Sequence, residues 1–133
     1  MKKNNSICVI DDDEIYQFIV RKEIESINLT HKIIAFSNGE EALKFFQSIE
    51  NFNNLPDIIL LDVNMPIVDG WQFLVEYALI KQKLPKKILI YMVTSSVNDR
   101  DIKKAKLISE VSDYIIKPVA KEKLREIIEN LSA

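Results

Sequence analysis

The chain has 133 residues, 47% of them hydrophobic and 29% charged, which suits one globular domain and excludes disordered and fibrous classes. A net charge of -2 gives no bulk reason to expect nucleic acid or anionic lipid as a partner. The single cysteine, Cys8, lies in an apolar run and reads as a small core residue whose free thiol suits a reducing compartment. No stretch resembles a signal sequence or a membrane span, so a cytoplasmic protein is expected.

Apolar runs and amphipathic segments alternate along the chain. Residues 6–10 predict a buried strand, and residues 14–27 a helix. A second strand is expected at 32–36, then a helix at 39–49 with Ala42, Phe46 and Ile49 on one face. The run 57–61 predicts a third strand, and 70–81 a helix in which Phe73, Tyr77 and Ile80 share a face. A fourth strand follows at 87–93, then a strongly charged helix at 99–108 and a fifth strand at 113–117. The last helix, 121–131, carries Leu124, Ile127, Ile128 and Leu131 as an i, i+3, i+4, i+7 stripe.

Strands that are apolar throughout, alternating with amphipathic helices, imply a parallel sheet covered on both faces. Five such units suggest a doubly wound α/β fold forming one domain over residues 1–133. Repeats and linkers are absent from the sequence, and no output domain is expected beside this one.

The polar residues then fall into a pattern. Asp11 and Asp12 follow the first strand, Asp62 the third, Thr94 the fourth and Lys117 the fifth. Ligands bind at the carboxyl edge of open parallel sheets, where the winding direction reverses. With strand order 2-1-3-4-5, three acids, a hydroxyl and an ammonium converge there. Crowded aspartates need a cation, and an all-oxygen set with few protein donors suits Mg²⁺. A carboxylate can also attack phosphorus, a transfer that needs positioning and charge neutralisation more than covalent help. The constellation therefore predicts a phosphorylatable aspartate beside a Mg²⁺ site.

Four motifs in order, "VIDDD" (9–13), "LLDVNMPIVDG" (60–70), "MVTS" (92–95) and "DYIIKP" (113–118), resemble those of response-regulator receiver domains of two-component signalling. The resemblance covers nearly the whole chain and implies a flavodoxin-like five-stranded fold. It makes Asp62 the phosphoacceptor, Asp12 a direct Mg²⁺ ligand and Asp11 a ligand acting mainly through metal-bound water. The backbone carbonyl of Asn64 would complete the protein ligands. Lys117 would bind a phosphoryl oxygen, with Pro118 after it in a usually cis bond. Thr94 would be the switch hydroxyl, and Tyr114 the aromatic that follows it.

The implied function is a stand-alone switch that takes a phosphoryl group from a sensor histidine kinase or a histidine phosphotransfer protein. Its face of helix four, strand five and helix five would then bind a downstream protein, as a monomer or a phosphorylation-dependent dimer. It would not be an enzyme beyond its own phosphorylation and dephosphorylation. Two other readings compete: a docking module indifferent to phosphorylation, and a small Mg²⁺-dependent phosphatase with an aspartyl nucleophile. The intact acids, Thr94 and Lys117 disfavour the first; Asn64, where such phosphatases carry an acid, disfavours the second.

Structural roles are assigned to the remaining candidates. Asp13 and Glu14 suit helix capping, Asp69 and Gly70 turn chemistry, and Met65 and Pro66 the shape of the loop. Trp71 is expected near the site at the start of helix three, His31 at the surface, and Lys103, Lys104 and Lys106 on a solvated face. The sequence departs from the family pattern at Ser95, where a small alanine is usual. It departs again at "SEVSDY", where a Gly-Ala pair often precedes strand five. Asn64 and Ser96 lie where the family tunes access of hydrolytic water.

Overall fold

A computed structural model describes residues 5–95 and 97–131; Ser96 and the side chain of His31 lie outside the described residues. The order is β1 (Asn5–Ile10), α1 (Glu14–Ile27), β2 (Thr30–Phe36), α2 (Gly39–Gln47), β3 (Ile58–Asp62) and α3 (Gly70–Ile80). It continues with β4 (Leu89–Thr94), α4 (Asp99–Lys106), β5 (Val111–Ile116) and α5 (Lys121–Leu131). All four strand pairings are parallel and the order is β2-β1-β3-β4-β5, the doubly wound fold that the alternation predicts.

Alternate strand residues feed two cores, one on each face of the sheet. Cys8, Ile10, Ile59, Leu61, Ile90 and Met92 pack against Phe46 of α2 and against Phe73, Leu74 and Tyr77 of α3. Ile7, Val9, Ile58 and Leu60 pack on the other face with Val20 and Ile24 of α1 and Leu124, Ile127 and Ile128 of α5. Cys8 is fully buried, and that burial pushes its thiol pKa up, so it stays a packed, unreactive group.

Local chemistry sets the helix starts. Asp13 caps α1, its side chain accepting from the Ile15 and Tyr16 N–H groups. Asp69 and Gln72 form a reciprocal capping box at the start of α3. Two helix ends differ from expectation. α2 stops at Gln47, because Ser48 turns extended and its N–H, with Asn51 Nδ2, bonds the Phe45 carbonyl. A 3-10 helix over Ile49–Asn54 follows, leaving Ile49 at 78% exposure while Phe52 packs inward instead. α4 stops at Lys106, and Ile108 turns into the core before β5 begins at Val111, two residues earlier than expected.

The corner before β5 answers the missing glycine. Among the described non-glycine residues, only Asn28 and Ile67 have positive φ, so Glu110 needs no left-handed conformation. Its carboxylate instead bonds Lys81 just beyond α3, and that bond lowers its pKa. The corner that lacks the family's usual Gly-Ala pair therefore carries an ion pair.

Candidate functional site

β1 and β3 are neighbours in the sheet, with Ile10 in register with Leu61, so the residues that follow them emerge side by side. Asp62 is the last residue of β3 rather than the first of a loop, and it is 6% exposed. Asp11 is 2% exposed, its N–H bonded to the Phe36 carbonyl and its Oδ1 accepting the Asp13 N–H at 2.9 Å. Asp12, next in the chain, is exposed. One carboxylate oxygen from each of Asp11, Asp12 and Asp62 lies within 4.8 Å of the others.

Lys117 reaches this cluster from the end of β5. Its Nζ is 2.7 Å from Asp11 Oδ2 and 3.6 Å from Asp62 Oδ1. The following bond, Lys117–Pro118, is cis, as the resemblance implies. One ammonium facing three carboxylates leaves excess negative charge. Burial pushes the Asp62 carboxyl up to about 6; Asp11 and Asp12 add to the rise, while Lys117 and the Val63 N–H oppose it. An all-oxygen cluster short of positive charge fits a hard divalent cation, so the donor set is compatible with Mg²⁺.

Thr94 ends β4 fully buried, and its carbonyl accepts the Lys117 N–H at 2.8 Å. Register places Thr94 opposite Ile116 and Met92 opposite Tyr114. Thr94 and Tyr114 therefore lie on the same face of the sheet, the face covered by α4. Tyr114 is half-buried and lines a groove with Ile102 and Ala105 of α4. The sheet thus brings Asp11, Asp12, Asp62, Thr94 and Lys117 to one edge, with Tyr114 further along the same face. Ser95 is exposed beside Thr94.

The loop after Asp62 is tightly tied. Gly70 N–H bonds the Val63 carbonyl at 2.8 Å, and a Cβ at Gly70 would lie 2.5 Å from the Asp62 carbonyl oxygen. Val68 N–H bonds the Pro66 carbonyl at 2.7 Å, closing a three-residue turn in which Ile67 takes φ 67°. Val68 in turn accepts from Gly39 N–H, which anchors the loop to α2. Asn64 and Pro66 are exposed within this loop, and Met65 is buried beneath it. Trp71 packs against the core at the start of α3, with Lys104 Nζ 4.4 Å from its ring centroid, so Lys104 is more than a solvated charge.

One neighbour of the pocket escapes sequence reasoning. The Tyr16 ring, on the first turn of α1, lies 4.3 Å from Lys117 Nζ. Its spacing marks it only as a helix residue, and nothing local links it to a lysine at the far end of the chain.

The chain is 30% identical over 128 residues to the probable C4-dicarboxylate response regulator DctR of Bacillus subtilis. That match takes in 96% of the chain but 52% of DctR, about half the length of that relative. A two-component response regulator from Cytophaga hutchinsonii superposes with a TM-score of 0.87 at 27% identity, covering 98% of this chain and 97% of that one. The receiver domain of the Pseudomonas aeruginosa sensor histidine kinase PA1611 has a TM-score of 0.75 at 19% identity, with 96% of each chain covered. At that identity it shows the shared fold; its own structure has a magnesium ion coordinated in the active-site cleft. Residues 7–129 match the response regulator receiver domain family, and with the fold and acidic edge in agreement, the chain belongs to that family of two-component signalling switches.

Proposed function

We propose that this receiver accepts a phosphoryl group on Asp62 from the phosphohistidine of a sensor histidine kinase or a histidine phosphotransfer protein. The observation that carries the reading is the convergence of three carboxylates within 4.8 Å, with Lys117 spanning Asp11 and Asp62. An Asp62 carboxylate oxygen would form the new bond to phosphorus. The phosphorus–nitrogen bond would break, and the imidazole would leave with the electron pair and take up a proton.

Asp11, Asp12, Asp62 and the Asn64 main-chain carbonyl would hold Mg²⁺. When bound, it supplies positive charge to the phosphoryl oxygens. Lys117, already beside Asp62, would donate to one of those oxygens, and Thr94 would turn toward another. Tyr114 shares the face of the sheet with Thr94, so the change would pass along β5 to the surface formed by α4, β5 and α5. Output would then be protein binding at that surface. Ile15, Phe18 and Ile19 on α1 are 73%, 61% and 49% exposed, starting three residues beyond Asp12, and give a donor protein an apolar footing.

Intact-mass measurement after incubation with Mg²⁺ and acetyl phosphate tests the reading. One phosphoryl adduct on wild type and none on Asp62→Asn is the expected result. No adduct with any donor, together with no Mg²⁺ binding, refutes it, and turnover of phosphomonoesters would point to a phosphatase instead.

A further inference from the structure

We propose that Tyr16 is a positioning residue whose ring holds the Lys117 ammonium in the pocket and steers it between Asp11 and Asp62. The inference rests on the phosphoacceptor reading above and adds a residue to it. Lys117 is a long, flexible side chain, only 18% exposed, with its Nζ at 2.7 Å from Asp11, 3.6 Å from Asp62 and 4.3 Å from the Tyr16 ring centroid. Three directions around the ammonium are thus occupied, two by anions and one by the negative face of an aromatic ring.

The ring has reason to stay where it is. Asp13 Oδ1 accepts from the Tyr16 N–H at 3.1 Å, and Gln17 Nε2 bonds the carbonyls of both Asp11 and Phe36. The first turn of α1 is therefore fastened to the ends of β1 and β2 beside the pocket. The Tyr16 hydroxyl is buried with no hydrogen-bond partner among the described residues, and the contact with Lys117 is made by the ring.

A ring does something here that a third carboxylate could not. It attracts the ammonium without accepting its N–H bonds, which stay available for the oxygens around Asp62. When a phosphoryl group arrives, Lys117 must move its main contact from Asp11 toward Asp62. A wall of fixed negative potential behind the ammonium keeps that movement inside the pocket and away from solvent. Tyr16 also packs against the core between α1 and α5, so a purely structural role must be told apart.

The test uses the full chain with Tyr16→Phe and Tyr16→Leu. Three quantities are measured: the phosphorylation rate against acetyl phosphate concentration, Mg²⁺ affinity from Trp71 fluorescence, and the Lys117 Hε shift by NMR. Wild type and Tyr16→Phe should show an upfield, ring-shifted Lys117 Hε and equal rates. Tyr16→Leu should lose the ring shift and about tenfold in rate at saturating donor, with Mg²⁺ affinity unchanged. The proposal is overturned if Tyr16→Leu keeps the wild-type rate, if it loses rate and Mg²⁺ affinity together, or if Tyr16→Phe falls as far as Tyr16→Leu. Wild type that takes no phosphoryl group, with the ring shift present, overturns the phosphoacceptor reading itself and the role in transfer with it.

Discussion

With 6% of its surface exposed and Asp11 beside it, Asp62 titrates at about 6, above the ordinary carboxylate range. A carboxyl whose pKa is higher folded than unfolded holds its proton more tightly in the native state. Its ionisation therefore removes stability as pH rises from about 4 through 6. In EDTA, Asp62→Asn is expected to stabilise the fold by about 2 kcal/mol above pH ~7, a gain that vanishes below pH ~4. Urea unfolding across that range checks it, and a gain independent of pH would contradict the electrostatic cause. Ile67 is strained for a different reason: a β-branched residue, 68% exposed, sits at φ 67°. Ile67→Asn, which tolerates that region better and gives up little packing, should stabilise the protein by about 1 kcal/mol in the same assay. Among single residues, Asp13 was legible as a cap because capping is local. Ile67 was not, since nothing in its identity favours a left-handed backbone.

The loop from β3 to α3 depends on close approach. A methyl group on Gly70 would meet the Asp62 carbonyl oxygen at 2.5 Å and the Val63 Cα at 2.9 Å, both backbone atoms that cannot step aside. Gly70→Ala is accordingly expected to destabilise the protein by about 2 kcal/mol or more and to weaken Mg²⁺ binding, read by urea unfolding and a Trp71 fluorescence titration. The start of α1 was readable because Asp13 caps its own nearby N–H groups, whereas Asp69, read as turn chemistry, also proves to cap α3. The ends of α2 and α4 were not readable. Their carbonyls are met by Asn51 and by turn bonds at Leu107 and Ile108, contacts that periodicity does not encode. The corner at Glu110 belongs with them, since its partner Lys81 lies beyond a different helix.

The doubly wound order sets two acidic strand ends next to each other, so a cation bound there ties β1 to β3 in the native state alone. Binding to the folded state at 100 times Kd adds about 2.7 kcal/mol of stability. Millimolar Mg²⁺ should therefore raise the thermal midpoint of wild type. Asp12→Ala should abolish the rise without lowering the metal-free midpoint, because Asp12 is exposed and its charge only adds to the crowding around Asp62. Differential scanning calorimetry with and without Mg²⁺ reads both. A rise that persists in Asp12→Ala would place the cation elsewhere. Among the described residues, no helix is long and apolar enough to cross a membrane.

Fold class and strand content follow from the sequence alone, because apolar runs alternating with amphipathic stretches are local patterns with one economical way to bury their faces. The candidates Asp11, Asp12, Asp62, Thr94 and Lys117 are legible for the same reason, each standing at the end of a run. What only the tertiary structure decided is how the charges are shared. Lys117 leans on Asp11 more closely than on Asp62, Tyr16 lies against it, and Glu110 pairs with Lys81 at the corner before β5. Each of these joins residues far apart in the chain, and electrostatic contacts of that kind depend on distance in space, which no local pattern records.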